Sequence, residues 1–286
     1  MNVRIEYKWM LPFLFGFSLI LGACLPDPLE VTGLPVVKPQ IVVSTQIIPD
    51  QSLVVLLTKS FGALDASDES DPQDVLDQIA VNDAVVTITH ENKIDTLRFL
   101  GSGVYGGTDI ELLANVSYRL HVVSESLGEV TSSTEVKPQV LFEDIDVDLY
   151  FDGFDDTLAQ VTYHISDPSE KNWYMINALK VERYDLQENL LNPRDFTRLI
   201  DDAPFNGREF EETFRVFPRE FGVGDTIAVY ISNISKDYYD FMKLRLDNRF
   251  SLVEFVSEPI NYPSNVQGGK GYFNLYLPDI RFFILE

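Results

Sequence analysis

The sequence predicts a mainly β protein of two domains, and three observations carry that expectation. Short β-branched runs with period-two alternation recur through the chain, and turn residues separate them. A composition of 45% hydrophobic and 12% aromatic residues is too apolar for disorder, even at a formal net charge of −23. The runs also fall into two series with a pause near Pro138.

In the first series, Ile41-Val42-Val43-Ser44-Thr45, Leu53-Val54-Val55-Leu56-Leu57, Ala84-Val85-Val86-Thr87-Ile88, Thr96-Leu97-Arg98-Phe99-Leu100 and Tyr118-Arg119-Leu120-His121-Val122-Val123 read as sandwich strands. An acidic segment from Asp65 to Asp77 interrupts them and reads as a solvated loop with room for one helical turn. The second series has longer strands, at 140–151, 158–165, 173–184, 210–217 and 226–234. The spacing then turns helical from Ser235 to Arg249, with Tyr238, Phe241, Met242, Leu244 or Arg245, and Phe250 as recurring large positions and Ser235 as N-cap. Phe241 belongs to the stripe expected to pack on the sheet, and Tyr239 falls off it. A shorter helix is expected over 193–200. The domains are therefore expected at 40–137 and 138–286, the second carrying one main helix.

The first 39 residues read differently. Arg4 and Lys8 precede an apolar run from Leu11 to Leu21, about half of the ~20 residues a membrane span needs, and Pro12 and Gly16 interrupt it. Leu21-Gly22-Ala23-Cys24 matches the lipobox at which bacterial lipoproteins are cut before a lipid-modified cysteine, and Cys24 is the only cysteine in the chain. Residues 1–23 are thus expected to be a signal peptide, Cys24 the lipidation site, and the Pro-punctuated 24–39 a tether. Lipid on Cys24 would hold the protein to a membrane. Leu25 stands where an Asp would favour inner-membrane retention, so the outer membrane is expected, with either leaflet compatible. So acidic a surface repels nucleic acid and anionic headgroups, which makes both poor partners, and no nucleic-acid partner is expected.

In order along the chain stand the lipobox, "IVVSTQIIPD", "VVLLTKS", "VNDAVVTI", "GSGVYGG", "VSYRLHV", "GDTIAVYISNISKDYYDFM" and "EPINYPSNVQGGKGYF". In that order and spacing the chain resembles a domain-of-unknown-function family of Bacteroidota lipoproteins, often encoded beside TonB-dependent outer-membrane receptors. The resemblance implies an immunoglobulin-like (carboxypeptidase-regulatory-like) first sandwich and a larger β-rich second domain. It implies no activity. It points to a TonB-dependent receptor as partner by gene neighbourhood, which is analogy and not chemistry.

No catalytic residue or cofactor is assigned. His90, His121 and His164 sit in separate strands without motif context, and there is no G-x-S-x-G. The ladder Asp144-x-Asp146-x-Asp148, with Asp152, Asp155 and Asp156 beyond it, offers the clustered carboxylates a calcium ion takes. The alternating Ile145, Val147 and Leu149 make the ladder the wet face of a strand, which leaves Asp152, Asp155 and Asp156 as the candidate metal ligands.

Trp173-Tyr174, Tyr238-Tyr239 and Tyr262 offer rings for stacking sugars or peptides, and core packing explains them equally well. Of Trp173 and Tyr174, adjacent on a strand, one is expected to be buried. The glycine-rich stretch 261–273 around Lys270 reads either as an anion cradle or as a tight loop entering the last strand. Asp-Thr-aliphatic triplets at Thr96, Thr157 and Thr226 resemble an O-glycosylation sequon of exported proteins. The expected function is a non-enzymatic accessory lipoprotein that binds a ligand or docks on a transporter. The alternative is a structural or adhesive surface module without a small-molecule site.

Overall fold

The computed structural model describes residues 38–48, 52–60, 72–107, 110–151, 153, 157–181, 196–217, 220–248 and 261–286. The signal run, Cys24, the tether before Lys38 and the acidic residues 65–71 lie outside the described residues.

Eight strands come first: β1 (Ile41–Ile47), β2 (Leu53–Lys59), β3 (Ala84–His90), β4 (Lys93–Thr96), β5 (Arg98–Gly101), β6 (Val104–Gly107), β7 (Ser117–Ser124) and β8 (Gly128–Glu135). They pair as β1-β2-β6-β5 and β4-β3-β7-β8. Lettered in chain order, the sheets are A-B-E-D and C′-C-F-G, which is the immunoglobulin-like arrangement. Period-two alternation makes the sandwich: Ile41, Val43 and Ile47 point inward from β1 and Tyr118, Leu120 and Val122 from β7, all buried. Tyr118 pins the E–F corner, its hydroxyl donating to Glu111 O at 2.7 Å and accepting from Leu113 N at 2.8 Å.

The second series builds a second sandwich. Its strands are β9 (Asp144–Phe151), β10 (Thr157–Ser166), β11 (Trp173–Lys180), β12 (Phe196–Asp201), β13 (Glu209–Val216), β14 (Thr226–Ile234) and, at the end of the chain, β16 (Pro278–Ile284). They pair as β9-β10-β13 and β12-β11-β14-β16. Lettered again, this is A-B-E against C′-C-F-G, the same topology repeated. Val161, Tyr163, Ile176, Phe214, Val229 and Ile231 fill its interior. Asp144, Asp146 and Asp148 stand on the exposed face of β9 while Val147 is buried, as the alternation requires.

The helix expected over 193–200 is a strand where it is described. Phe196–Asp201 pairs residue by residue with β11, from Ala178↔Phe196 to Trp173↔Asp201. The open edge of β11 supplied hydrogen-bond partners that outweighed local propensity. The helix expected over 235–249 is present as α2 (Lys236–Asn248), with Ser235 Oγ accepting from Tyr238 N at 3.2 Å as its N-cap. An earlier helix, α1 (Pro72–Ile79), occupies the end of the acidic insert.

What joins the sandwiches is the long F–G connection of the second, between β14 and β16. After α2 it crosses to the first sandwich, where β15 (Lys270–Tyr272) pairs parallel with β1, from Val42↔Lys270 to Ser44↔Tyr272. Gln267 bridges to Thr131 of β8, so the segment closes the side of the sandwich between its first and last strands. Tyr272, Phe273, Leu275 and Tyr276 then enter the first core. Thr45 Oγ1 donates to Asn274 O and accepts from Asn274 N, each at 3.0 Å. The two strand series are thus separate in sequence at Pro138, but the first hydrophobic core is completed from beyond residue 260. Gly271 permits the crossing. It has a φ of +96°, and a Cβ there would stand 2.0 Å from Val43 O.

Candidate functional site

In a two-sheet sandwich the outer face of A-B-E-D ordinarily meets water, but here β2 is apolar on both faces. Val54 and Leu56 point outward and, with Val104, pack under Leu76 of α1. Beyond the reach of α1, this outer face becomes the floor of a groove of about 530 Å³. Val42 and Ser44 of β1 and Leu56 and Thr58 of β2 form the floor, and Ile79 at the end of α1 forms one wall. The opposite wall comes from the F–G connection: Tyr238, Phe241 and Arg245 on α2, then Asn261, Tyr262, Lys270 and Tyr272. Positions 238, 241 and 245 are spaced by three and four residues and so share one face of the helix.

Four rings line that wall, with Phe241 at their centre. Its centroid lies 4.8 Å from Tyr272, 6.0 Å from Tyr238 and 6.3 Å from Tyr262. Tyr238 and Tyr272 are each 7% exposed, whereas Tyr262 is 38% exposed and stands at the mouth. Burial pushes the hydroxyls of Tyr238 and Tyr272 up to about 12, so both remain neutral donors at any physiological pH.

Their linkage to stability has a definite sign. A tyrosine whose folded pKa exceeds its unfolded value of about 10 stabilises the fold fully below pH 10, and loses that contribution as pH rises toward 12. Burial raises Tyr163 and Tyr174 in the same direction. Unfolding free energy from denaturant titrations is therefore expected to hold up to about pH 9.5 and fall steeply by pH 11.5, by up to about 2 kcal/mol for each of the two groove tyrosines. A flat profile across that range would rule out burial of these hydroxyls.

The charges in the groove are one-sided. Arg245 and Lys270 line it, neither has a hydrogen-bond or ion-pair partner among the described residues, and no Asp or Glu is among the lining residues. Asp237 and Asp240 stand on α2 outside the lining, where their charges act on Tyr272, and Asp240 is paired with Lys236.

Of the aromatic residues singled out from the sequence, the fold brings Tyr238 and Tyr262 together in the groove. It leaves the others elsewhere. Tyr174 is fully buried in the second core and donates its hydroxyl to the Asp167 carboxylate. Trp173, on the opposite face of β11, packs half-buried against the first core with the Lys171 ammonium 5.3 Å from its ring centroid. Tyr239 also packs half-buried against that core, outside the groove lining. Phe241, expected from its helical stripe to be core, is only partly buried, because Tyr238 and Met242 take the buried positions.

The remaining candidates are dispersed. Asp152, Asp155 and Asp156 lie outside the described residues, among which no cluster of three or more His, Cys, Asp or Glu could hold a metal. Thr96 is exposed at the end of β4, while Thr157 and Thr226 are half-buried at the starts of β10 and β14. His90 stacks on Tyr118 and meets Asp95 at 3.2 Å, His121 meets Glu129 at 2.8 Å, and His164 lies between Glu143 and Glu209. They are in three different places.

Phe241 and Arg245 were absent from the sequence candidates, though one signal pointed toward the site. The unbroken apolar run Leu53–Leu57 announces a strand covered on both faces. The glycines around Lys270 serve the close approach of β15 to β1, so the stretch expected as a loop entering the last strand is itself a short strand on the first sandwich, and it brings Lys270 to the groove.

A family model described as "Domain of unknown function (DUF4249)" matches residues 27–279. No curated protein matches the sequence. Among solved structures, the FN1–FN3 domains of chicken CNTN1 are 11% identical with a TM-score of 0.25, covering 68% of this chain, which spans 60% of theirs. A two-domain fibronectin type III segment of chicken tenascin is 10% identical with a TM-score of 0.22, covering 68% of this chain and 90% of its own. The chicken interferon gamma receptor alpha chain is 12% identical with a TM-score of 0.20, covering 68% and 89%. The immunoglobulin-like topology rests on the strand pairings and not on these likenesses.

Proposed function

The chain belongs to the family described as domain of unknown function DUF4249, and with that membership as premise we propose that it is a non-enzymatic, outer-membrane lipoprotein that captures a small ligand for a TonB-dependent transporter. The observation that carries the capture reading is the groove: about 530 Å³, walled by four rings and holding two cations that have no partner among the described residues. A concave, largely apolar site with a few convergent polar groups is the usual form of a small-molecule pocket. The lipobox at Cys24 supports the anchor. Among the described residues no helix is long and apolar enough to cross a membrane, and the transporter enters by the gene neighbourhood that the family resemblance implies.

Detergent extracts of cells carrying the native lipidated chain provide the test. Co-purification with an outer-membrane β-barrel is expected, together with loss of membrane association in Cys24→Ser, which leaves both sandwiches untouched. Solitary migration of the lipidated protein would sink the transporter role, and a Cys24→Ser variant still in the membrane pellet would sink the lipid anchor.

A further inference from the structure

We propose that the groove selects a small amphipathic carboxylate, whose apolar body lies against Phe241 and Tyr262 and whose carboxylate is met by Arg245 and Lys270. The inference rests on the capture reading above and adds the chemical class of the ligand.

Charge is the first argument. The chain has 45 acidic residues against 22 Lys and Arg, so a concavity lined at random would be expected to hold more acids than bases. Among the described residues this one holds Arg245 and Lys270 and no acid. Several cations elsewhere are neutralised by neighbouring acids: Lys171 by Asp201 and Asp202, Lys180 by Asp225, Arg198 by Glu212 and Lys236 by Asp240. Two lining cations without partners among the described residues leave their donors to a ligand, and an arginine fork suits the two oxygens of a carboxylate.

Polarity is the second. The hydroxyls of Tyr238 and Tyr272, which also line the groove, stay protonated and have no hydrogen-bond partner among the described residues. They add donors where an anion needs them, and no negative charge.

Shape is the third. The strand floor, Ile79 on one side and the α2 wall on the other bound the space on three sides, and its volume fits a ligand of drug size rather than a protein surface. The acidic exterior would repel an anion at long range, so the preference must be generated inside the groove, by contacts that exclude water.

The test uses the Cys24→Ser full chain and 11-(dansylamino)undecanoate, followed by the rise in dansyl fluorescence, with the methyl ester of the same probe as the uncharged control. The carboxylate is expected to bind at least tenfold more tightly than the ester. Arg245→Gln and Lys270→Gln are each expected to reduce that preference about threefold to tenfold, and together to abolish it, with thermal melts unchanged. Arg245→Lys is expected to keep part of it. Equal binding of acid and ester would overturn the carboxylate assignment while leaving the groove a ligand site. Failure of both probes to bind at millimolar concentration would overturn this inference, and co-purification with a β-barrel would then decide the transporter role separately. Stronger displacement of the probe by a hexapeptide with a free C-terminus than by decanoate would overturn the assignment to a small molecule.

Discussion

Residues 38–137 expressed alone are expected to lack a stable fold, although they contain all eight strands of the first sandwich. Its core takes Tyr272, Phe273, Leu275 and Tyr276 from the far end of the chain. Burying Phe273 and Leu275 contributes about 1.5–3 kcal/mol each, and the two tyrosines add comparable area. Removing all four costs a large fraction of the 5–15 kcal/mol that holds a domain together. Hydrogen bonds are lost as well, since Asn274 serves Thr45 and the backbone of β1 loses its β15 partner. Amide proton dispersion and near-ultraviolet dichroism measure the outcome. A fragment with native-like dispersion and a cooperative melt close to that of the full chain would show that the F–G connection only decorates the sandwich.

Replacing Gly271 by Ala is expected to destabilise the whole protein by about 2–4 kcal/mol, far more than the methyl group suggests. Two costs combine: a positive φ that L side chains resist, and a Cβ 2.0 Å from the Val43 carbonyl oxygen. Because the obstacle is backbone on a buried strand, it cannot swing aside as a flexible side chain would. Gly128→Ala is the matched control, with a φ of +89° and open space around the would-be Cβ. It should cost only the conformational part, roughly 1 kcal/mol. Urea denaturation of both variants separates the contributions, and equal losses would dismiss close approach as the reason for glycine at 271.

Much of the strand inventory was legible because alternation reports burial directly. Ile41–Ile47, Ala84–His90 and Thr226–Ile234 all read as strands from their apolar positions. The misses share a cause, which is that their pairing partners lie outside the local sequence. Gly128–Glu135 offers only Val130 as a large apolar residue and is held by β7 at its edge. Phe196–Asp201 has helix-compatible spacing and takes its form from β11. Lys270–Tyr272 is three residues long and exists only against β1.

The candidate site was half legible for the same reason. Tyr238 and Tyr262 stood out as aromatic residues, but nothing local reports that β1, α2 and residue 270 meet. Tyr239 and Trp173 look identical in sequence to groove residues and differ only in which way their element turns.

The pairing of β1 with β15 also sets a timetable. Val42 is among the first residues of the folded part to be synthesised and Lys270 among the last, so the strand pair cannot close until nearly the whole chain has emerged. Contacts of such sequence separation are slow to form, because a long loop must be closed before any of them is made. An early segment that stays unfinished until residue 270 arrives remains threadable, which would suit the export proposed above. The same delay leaves the outer edge of β1 unpaired in the meantime, so a brief dependence on chaperones before closure follows from the topology itself.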